Sequence, residues 1–508
     1  MQNLSMISSK NQSLSLIISI SALLLLIQFL IRVDLFYISD PLIKWIQVVS
    51  LWNQNWTTES ILFPAKDMDP LFLMSPLNEN FVFLHKEQLI GQYPIGFTFL
   101  YSLLGLIQHQ YLPYLNFIYL ALLILLMTKN KFQIPVILFA ILGTVIFPLL
   151  IDFSENGLFI LLSAYGYYFL FKAFETERSK YWVFGNILFG LSLWLRLEGI
   201  LLFIAVHLAI FSIEVVTNKK SVWKILHPIR YSIFSLLLFS FFLWNAYRYS
   251  DPLGTRHLTN FGRFEKTILD QFQIFLSIVF TFPKKEIWTL GFFLQSPIYL
   301  MAILHMKKMD FKNKPSLRFH LLSSIIFLFF VGTTSPNDGL TLNGRYLASM
   351  VFPLTYLLNE VFKDIQNQKL KYYSVMAWTA LCSILILIVF YFSSKELKKL
   401  KTELTNFQSN LIVTTSEVLS GGFTLDLIEK QVICVRKDFL VHYFYYNLKQ
   451  NNFPEFLLLN LKKETSMSEE EIDSYHALLN GSISNGYECK PASESAKIKS
   501  QKCIHKNF

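Results

Sequence analysis

Runs of apolar residues recur along most of the chain, at lengths close to the about 17–25 residues that an α-helix needs to cross a bilayer. Eleven are read as crossings: 14–32, 112–127, 132–150, 156–174, 182–196, 199–216, 228–247, 287–305, 317–332, 346–362 and 373–393. The stretch "GFTFLYSLLGLI" (96–107) is too short to cross and predicts a half-helix or an interfacial helix. In "DPLIKWIQVVSLW", which begins at Asp40, Leu42, Ile43, Ile46 and Val49 form one stripe with Lys44 and Gln47 opposite. That pattern predicts an amphipathic helix on the membrane surface. The periodicity changes after about residue 394. "NLIVTTSEVL" and "KQVICVRKDFLVHYFYYNLK" pair β-rich runs with helical ones, and "MSEEEIDSYHALLNG" reads as a helix capped by Ser468 and Glu471 and ending at Gly481. The Lys- and Ser-rich last twenty residues predict loose order.

The fold class that follows is an all-α polytopic membrane bundle of about eleven transmembrane helices plus interfacial helices, with a small C-terminal α/β soluble domain. The expected domains are a transmembrane domain over 1–395, whose first outward loop is 33–111, and an outward-facing soluble domain over 396–508.

Composition supports the class. Of 508 residues, 53% are apolar and only 16% charged, against about a quarter charged in soluble domains. The first run, which contains "LSLIISISALLLLIQFLI", is too long for a signal-peptide core and no small-residue cleavage site follows it, so it reads as an uncleaved anchor. The net charge of +10 would point to nucleic acid in a soluble protein. Here the basic residues sit in "TKNK", "ERSK", "TNKKSVWK", "HMKKMDFKNKPSLR" and "KDIQNQKLK", which alternate between spans and mark the cytoplasmic loops. No nucleic-acid partner is expected. With Lys10 also inside, the N-terminus is cytoplasmic and the tail lies outside. Cys382 falls in a span, and among Cys434, Cys489 and Cys503 one disulfide can form in an oxidising compartment, with the pairing not readable. No zinc-ligand spacing occurs.

The outward segments gather acids, arginines and glycines. Asp40 before Pro41 is a standard helix start, and a capping carboxylate still leaves one oxygen free for chemistry. "KDMDP" (66–70) places Asp67 and Asp69 two apart, as a pair able to share Mg²⁺ or Mn²⁺ or as an ordinary acidic turn; beyond that cation no cofactor is expected. Asp34, beside the first span, reads as an interfacial anchor. "DFSEN" (152–156) puts Asp152 and Glu155 between two spans with almost no loop, near membrane depth, where acids are costly and line cavities; a tight turn capped by Asp and Asn is the plainer reading. "WLRLEG" (194–199) places Arg196 and Glu198 where two spans meet, as a buried ion pair or as a phosphate site. Arg256 and His257 in "PLGTRHLTN", with Gly254 to let backbone approach a ligand, and Arg345 with Tyr346 in "LNGRY" invite the phosphate reading too.

In this order the motifs resemble those of a family, the integral-membrane GT-C glycosyltransferases that use polyprenyl-phosphate-linked sugars. The resemblance covers about residues 14–395: "YISDPLIKWIQ" after the first span, "QYPIGFTFLYSLL", "DFSENGLFILLSAYGYYFLF", "GLSLWLRLEGILLF", "DPLGTRHLTN" and "NGRYLASMVFPL". The chain is similar to glycosyltransferases of spirochaetes of the Leptospira type. It departs from the common pattern where "YPIG" stands for "YPPG" and where "RLEG" lacks a Pro; neither change removes a reacting group.

The resemblance implies a bacterial inner-membrane enzyme that moves a sugar from a polyprenyl-phosphate donor to a lipid, glycan or protein acceptor at the periplasmic face, with inversion, among membrane lipids as its surroundings. It implies a catalytic role for Asp40, as general base on the acceptor hydroxyl or in metal-assisted activation, with Asp152 or Glu155 the second acid and Arg196 and Arg345 the phosphate partners. A lipid transporter or flippase would also carry charges at membrane depth, but the halves show no internal repeat and the polar residues favour one face. An O-antigen-type polymerase or ligase is the third reading.

Overall fold

Six helices among the described residues are long and apolar enough to cross a bilayer: Gln12–Ile31, Tyr111–Lys129, Asn156–Thr176, Glu198–Val215, Pro315–Thr334 and Leu370–Thr405. This count rests on length and composition among the described residues and is smaller than the expected eleven. The computed structural model describes residues 2–33, 40–77, 81–105, 109–218, 227–260, 267–281, 290–306, 314–335, 343–365, 369–462 and 468–506.

Of the remaining apolar runs, 228–247 carries the 18-residue helix Ser232–Tyr249 and the others form shorter or interrupted helices. Run 132–150 breaks into Ile134–Leu142 and Ile146–Ile151. Between them the Thr144 hydroxyl donates to the Ala140 carbonyl (2.7 Å) and accepts from the Ile146 amide (3.2 Å), a local bond that competes with the helical ladder. Run 287–305 holds Phe292–Gln295 and Ile298–His305, separated at Ser296-Pro297, where the proline can only start a helix. Run 346–362 enters through the 3₁₀ segment Asn343–Met350 and continues as Val351–Asp364. Ser179–Leu193 has 15 residues, and the segment at 96–107 holds only the eight-residue helix Ile95–Ser102, too short to cross.

The chain divides into two compact units. The first comprises Met1–Leu30, Pro94–Phe97 and Pro113–Phe390. Its long helices pack through apolar faces, and two amides fix the polar end that matters for function. Gln28, fully buried in the first span, donates to the carbonyls of Pro113 (3.0 Å), Leu150 (3.2 Å) and Ile151 (3.0 Å). Asn116 donates to the carbonyls of Leu150 and Asp152, both at 2.8 Å. The last carbonyls of a helix have no partner within it; here side-chain amides supply one and so hold residues 150–152, just ahead of Glu155.

The second unit comprises Ile31–Tyr93, Thr98–Leu112 and Tyr391–Phe508. Helix Asp40–Asn53 belongs to this unit, and it is not the surface helix the periodicity predicts. All of Pro41–Leu51 is buried, including Lys44 at 2% exposure and Gln47 at 3%. Its polar face meets protein: Lys44 lies 4.2 Å from the centre of the Tyr93 ring, and Gln47 reaches the Tyr93 carbonyl at 3.4 Å. A hairpin of β1 (Val82–His85) and β2 (Gln88–Gly91) follows.

The tail builds a five-stranded sheet from β3 (Ile412–Thr414), β4 (Val432–Cys434), β5 (Glu455–Leu461), β6 (Tyr487–Glu494) and β7 (Ile498–His505). The order is β4-β3-β5-β7-β6, with β3 parallel to both β4 and β5 and the β5, β7, β6 pairings antiparallel. Its core, including Val413, Ile433, Phe444 and Leu458, also takes in Ala65, Met68 and Met74. The Cys434 amide donates to the Met74 carbonyl (2.8 Å) and Asn451 to the Asp67 carbonyl (3.1 Å). Part of the 33–111 loop therefore shares a core with the tail.

Two expectations for the tail change. The last twenty residues are not loose: most of them form β6 and β7, and Cys489 and Cys503, opposite each other in that pairing, form the disulfide, while Cys434 stays a buried thiol. The helix capped by Ser468 and Glu471 has both reciprocal bonds, but it runs through Gly481 to Ser484. Gly481 is there for packing, since a Cβ would come within 2.6 Å of the Tyr445 ring.

Candidate active site

The charged centre of the first unit is Arg196, only 3% exposed. It sits in the short turn between helices Ser179–Leu193 and Glu198–Asn218. Its Nη1 donates to Glu155 Oε1 (3.2 Å) and to Asn156 Oδ1 (2.8 Å). Its Nε and Nη2 both donate to Glu198 Oε1, at 3.2 and 2.6 Å. One guanidinium thus ties "WLRLEG" to "DFSEN" across 41 residues of sequence. Glu155 precedes helix Asn156–Thr176 but makes no side-chain cap; its carboxylate is turned to Arg196 instead. A planar fork that binds oxygens on several edges suits this task better than an ammonium.

Further cations join the same group. Arg256 Nη2 lies 3.6 Å from Glu155 Oε1. The Tyr346 ring has the Arg196 guanidinium 5.7 Å from its centre and that of Arg345 at 5.3 Å, and Arg345 is close enough to Arg196 to repel it. Arg196, Arg256 and Arg345 thus gather with Glu155 and Glu198. Charges at membrane depth are costly unless paired, and guanidinium forks are of the kind that binds the oxygens of an anion such as a phosphate.

The other sequence-derived candidates fall as follows. Asp152 is half-buried; its Oδ1 accepts the Phe153 amide (2.8 Å) while Asn116 holds its carbonyl. His257 Nδ1 is 2.6 Å from Asp251 Oδ2, so Asp251 fixes the imidazole. Gly254 has φ +82°, a conformation favouring glycine, but the space beside it belongs to Asn245, whose Oδ1 would lie 2.6 Å from an added Cβ. The expected ligand approach there is replaced by a side chain. Asp40 belongs to the second unit and starts its buried helix, with Lys44 one turn further on the same face. Asp34 lies outside the described residues.

Asp67 and Asp69 face differently. Asp67 is exposed; Asp69 is fully buried, and its two oxygens accept the amides of Leu73 (3.0 Å) and Met74 (2.7 Å). This pair is a turn-holding acid and a surface acid, a poor fit to a shared Mg²⁺ or Mn²⁺. Nor do any three His, Cys, Asp or Glu side chains among the described residues form a metal-holding group. Burial raises the Asp69 carboxyl from 3.8 to about 6, against the lowering pull of its two amides. Between about pH 4 and pH 6 the folded protein then keeps a proton that the unfolded chain has released, so stability falls as pH rises through that window and levels off above it. Melting temperatures taken from pH 4 to 7 should show this slope flattened in Asp69→Asn; equal slopes would remove Asp69 as its source.

Sequence reasoning missed Asn156, Lys44 and the two pinning amides. Asn156 was visible only as part of a turn. Lys44 carried a signal, its spacing of four from Asp40. Gln28 carried another, as a lone amide near the end of an otherwise aliphatic span.

The fold that holds this cluster is shared with a solved structure, and the six long apolar helices among the described residues make the chain a multi-pass membrane protein. The particular structure it is similar to is ArnT from Cupriavidus metallidurans. In the crystal structure bound to undecaprenyl phosphate the TM-score is 0.56 at 10% identity, covering 96% of this chain and 97% of that one. In the apo state the TM-score is 0.55 at 11% identity, over 97% and 98%. At such identity the likeness is one of fold. No protein-family model and no curated protein matches the sequence.

Proposed function

We propose that the protein is a membrane glycosyltransferase that transfers a sugar from a polyprenyl-phosphate donor to an acceptor at the periplasmic face of a bacterial inner membrane. The observation that carries this reading is the buried Arg196 cluster, in which Arg196, Arg256 and Arg345 gather about Glu155 and Glu198. The fold supports it, since a solved structure of the same fold is bound to undecaprenyl phosphate, a lipid of the required kind.

In this reading the donor's phosphate oxygens meet Arg345 and Arg256, while Arg196 is kept in place by Glu155, Glu198 and Asn156. A general base takes the proton of the acceptor hydroxyl as its oxygen attacks the anomeric carbon, and the sequence resemblance offers Asp40 for that role. The bond from that carbon to the phosphate oxygen breaks with its electron pair moving to the phosphate, whose growing charge the guanidiniums stabilise. Direct displacement inverts the anomeric centre. Asp152 is the second acid of the scheme, and His257 and Tyr346 line the donor side. The resemblance to spirochaete enzymes of the Leptospira type belongs to the same proposal. A transporter has no observation in its favour here.

Mass spectrometry of cell-surface glycans from cells with and without the protein tests the reading. A missing sugar unit in the deletion strain is expected, restored by the intact gene; unchanged glycans and glycolipids would overturn it.

A further inference from the structure

The helix that leads into the 152–156 turn, Ile146–Ile151, has only six residues. Most of its carbonyls therefore lack a partner within it, and so short a helix does not keep its own direction. Gln28, from the first span, and Asn116, the first residue of helix Asn116–Lys129, supply the missing donors at Leu150, Ile151 and Asp152. Asn116 also meets the chain beyond the turn: a Cβ on Gly157 would stand 3.3 Å from its Oδ1, and 3.0 Å from Leu150 and Tyr119. One side chain thus fixes the backbone on both sides of the turn, and the bare Cα of Gly157 lets it come so close.

Inside the turn the side chains are committed as well. Phe153 packs on Phe97, with ring centres 5.2 Å apart. Asn156 Nδ2 donates to Ser154 Oγ at 3.1 Å, which leaves Asn156 Oδ1 to accept from Arg196 at 2.8 Å. A turn gripped at both ends and across its middle has little freedom to redirect Glu155. That direction matters, because Glu155 Oε1 is shared by Arg196 at 3.2 Å and Arg256 at 3.6 Å.

We infer that Gln28, Asn116 and Ser154 are positioning residues for the Arg196 cluster. Gln28 and Asn116 set where the turn stands, and Ser154 sets which way the Asn156 amide faces. Together they aim the carboxylate that Arg196 and Arg256 share. The inference rests on the reading of that cluster as the site of the donor's phosphate. Each of the three acts through Glu155 or Asn156, and a guanidinium displaced by about 1 Å loses its fit to phosphate oxygens.

Two measurements on the full chain in lipid nanodiscs test this role. The first needs no substrate: melting temperatures of Asn116→Leu, Gln28→Met and Glu155→Gln, singly and as the two pairs with Glu155→Gln. Each pair is expected to lose less than the sum of its singles, because a released turn has less hold on Glu155 to lose. Independent sites add, so additive losses in both pairs would overturn the inference. Gln28→Met, close to the parent side chain in length, carries the test if Asn116→Leu does not fold. Asn186→Leu is the control and should add with Glu155→Gln. Asn186 is an equally buried amide that holds the carbonyls of Trp182 and Arg230, about two turns before the end of helix Ser179–Leu193.

The second is the dissociation constant of undecaprenyl phosphate, by native mass spectrometry. It is expected to rise about tenfold in Gln28→Met and Asn116→Leu and about threefold in Ser154→Ala, with Asn186→Leu unchanged. A purely structural role would lower melting temperatures in all four variants without separating their affinities. Equal affinity in the parent and the variants would overturn the inference and leave the donor reading standing. A parent that does not bind the lipid would overturn the donor reading, and the positioning role with it.

Discussion

Arg196→Ala is expected to destabilise the first unit by roughly 3–5 kcal/mol, the cost of breaking a buried ion pair by removing one partner, and to abolish sugar transfer. The size follows from what the substitution leaves behind. Glu155 and Glu198 would stay buried with their shared cation gone, and Asn156 would lose its donor. Arg256, 3.6 Å from Glu155 and near enough to act on Glu198, would be left facing both carboxylates. The guanidinium also packs near the rings of Tyr346 and Phe159, so its removal opens a gap in an aromatic wall. Thermal unfolding of the purified protein, followed by size-exclusion chromatography, reads the stability. A melting temperature like that of the parent would show that the two acids have another source of compensation.

Asp40→Asn should behave in the opposite way, with the fold kept and transfer slowed by about 10²–10⁴, the range a general base contributes. Asn starts a helix as well as Asp does, and the buried body of Asp40–Asn53, from Pro41 to Leu51, is unaltered. What the amide cannot do is take a proton. The measurement is transfer from a radiolabelled polyprenyl-phosphate sugar in proteoliposomes, alongside the melting temperature of the same sample. Activity near that of the parent would take Asp40 out of the mechanism; loss of both activity and fold would make it a structural residue.

How far the sequence could be read depended on whether a feature was local. "DFSEN" and "WLRLEG" stood out because acids and an arginine beside apolar runs are rare and costly. Their meeting was not readable: Arg196 finds Glu155 across 41 residues, and only helix packing sets which carboxylate it reaches. Arg196 bonding to Glu198, two residues away, matched the plainer ion-pair reading, and the same side chain also serves the cluster. Lys44 misled for a related reason. Helical periodicity divides a helix into a buried and a wet face, and it cannot see that protein covers the second face as well. The "KDMDP" pair misled because spacing says nothing of direction, and Asp69 turns inward to hold its own turn. In the tail, the capping box of Ser468 and Glu471 was legible from four residues, whereas Cys489 and Cys503 were indistinguishable from Cys434 until strand register placed them opposite each other.

The sequence by itself determined that this is a polytopic membrane chain with a small α/β tail, since apolar length, turn chemistry and capping act within a few residues. It also marked most of the charged residues that gather, because a charge beside an apolar run is conspicuous wherever the chain goes. The tertiary structure alone decided which runs stay whole helices, which acids share Arg196, and that residues near 70 pack into the core of a sheet that begins at 412. Those outcomes rest on contacts between distant segments, whose energies depend on distance and direction in space and leave no trace in local order along the chain.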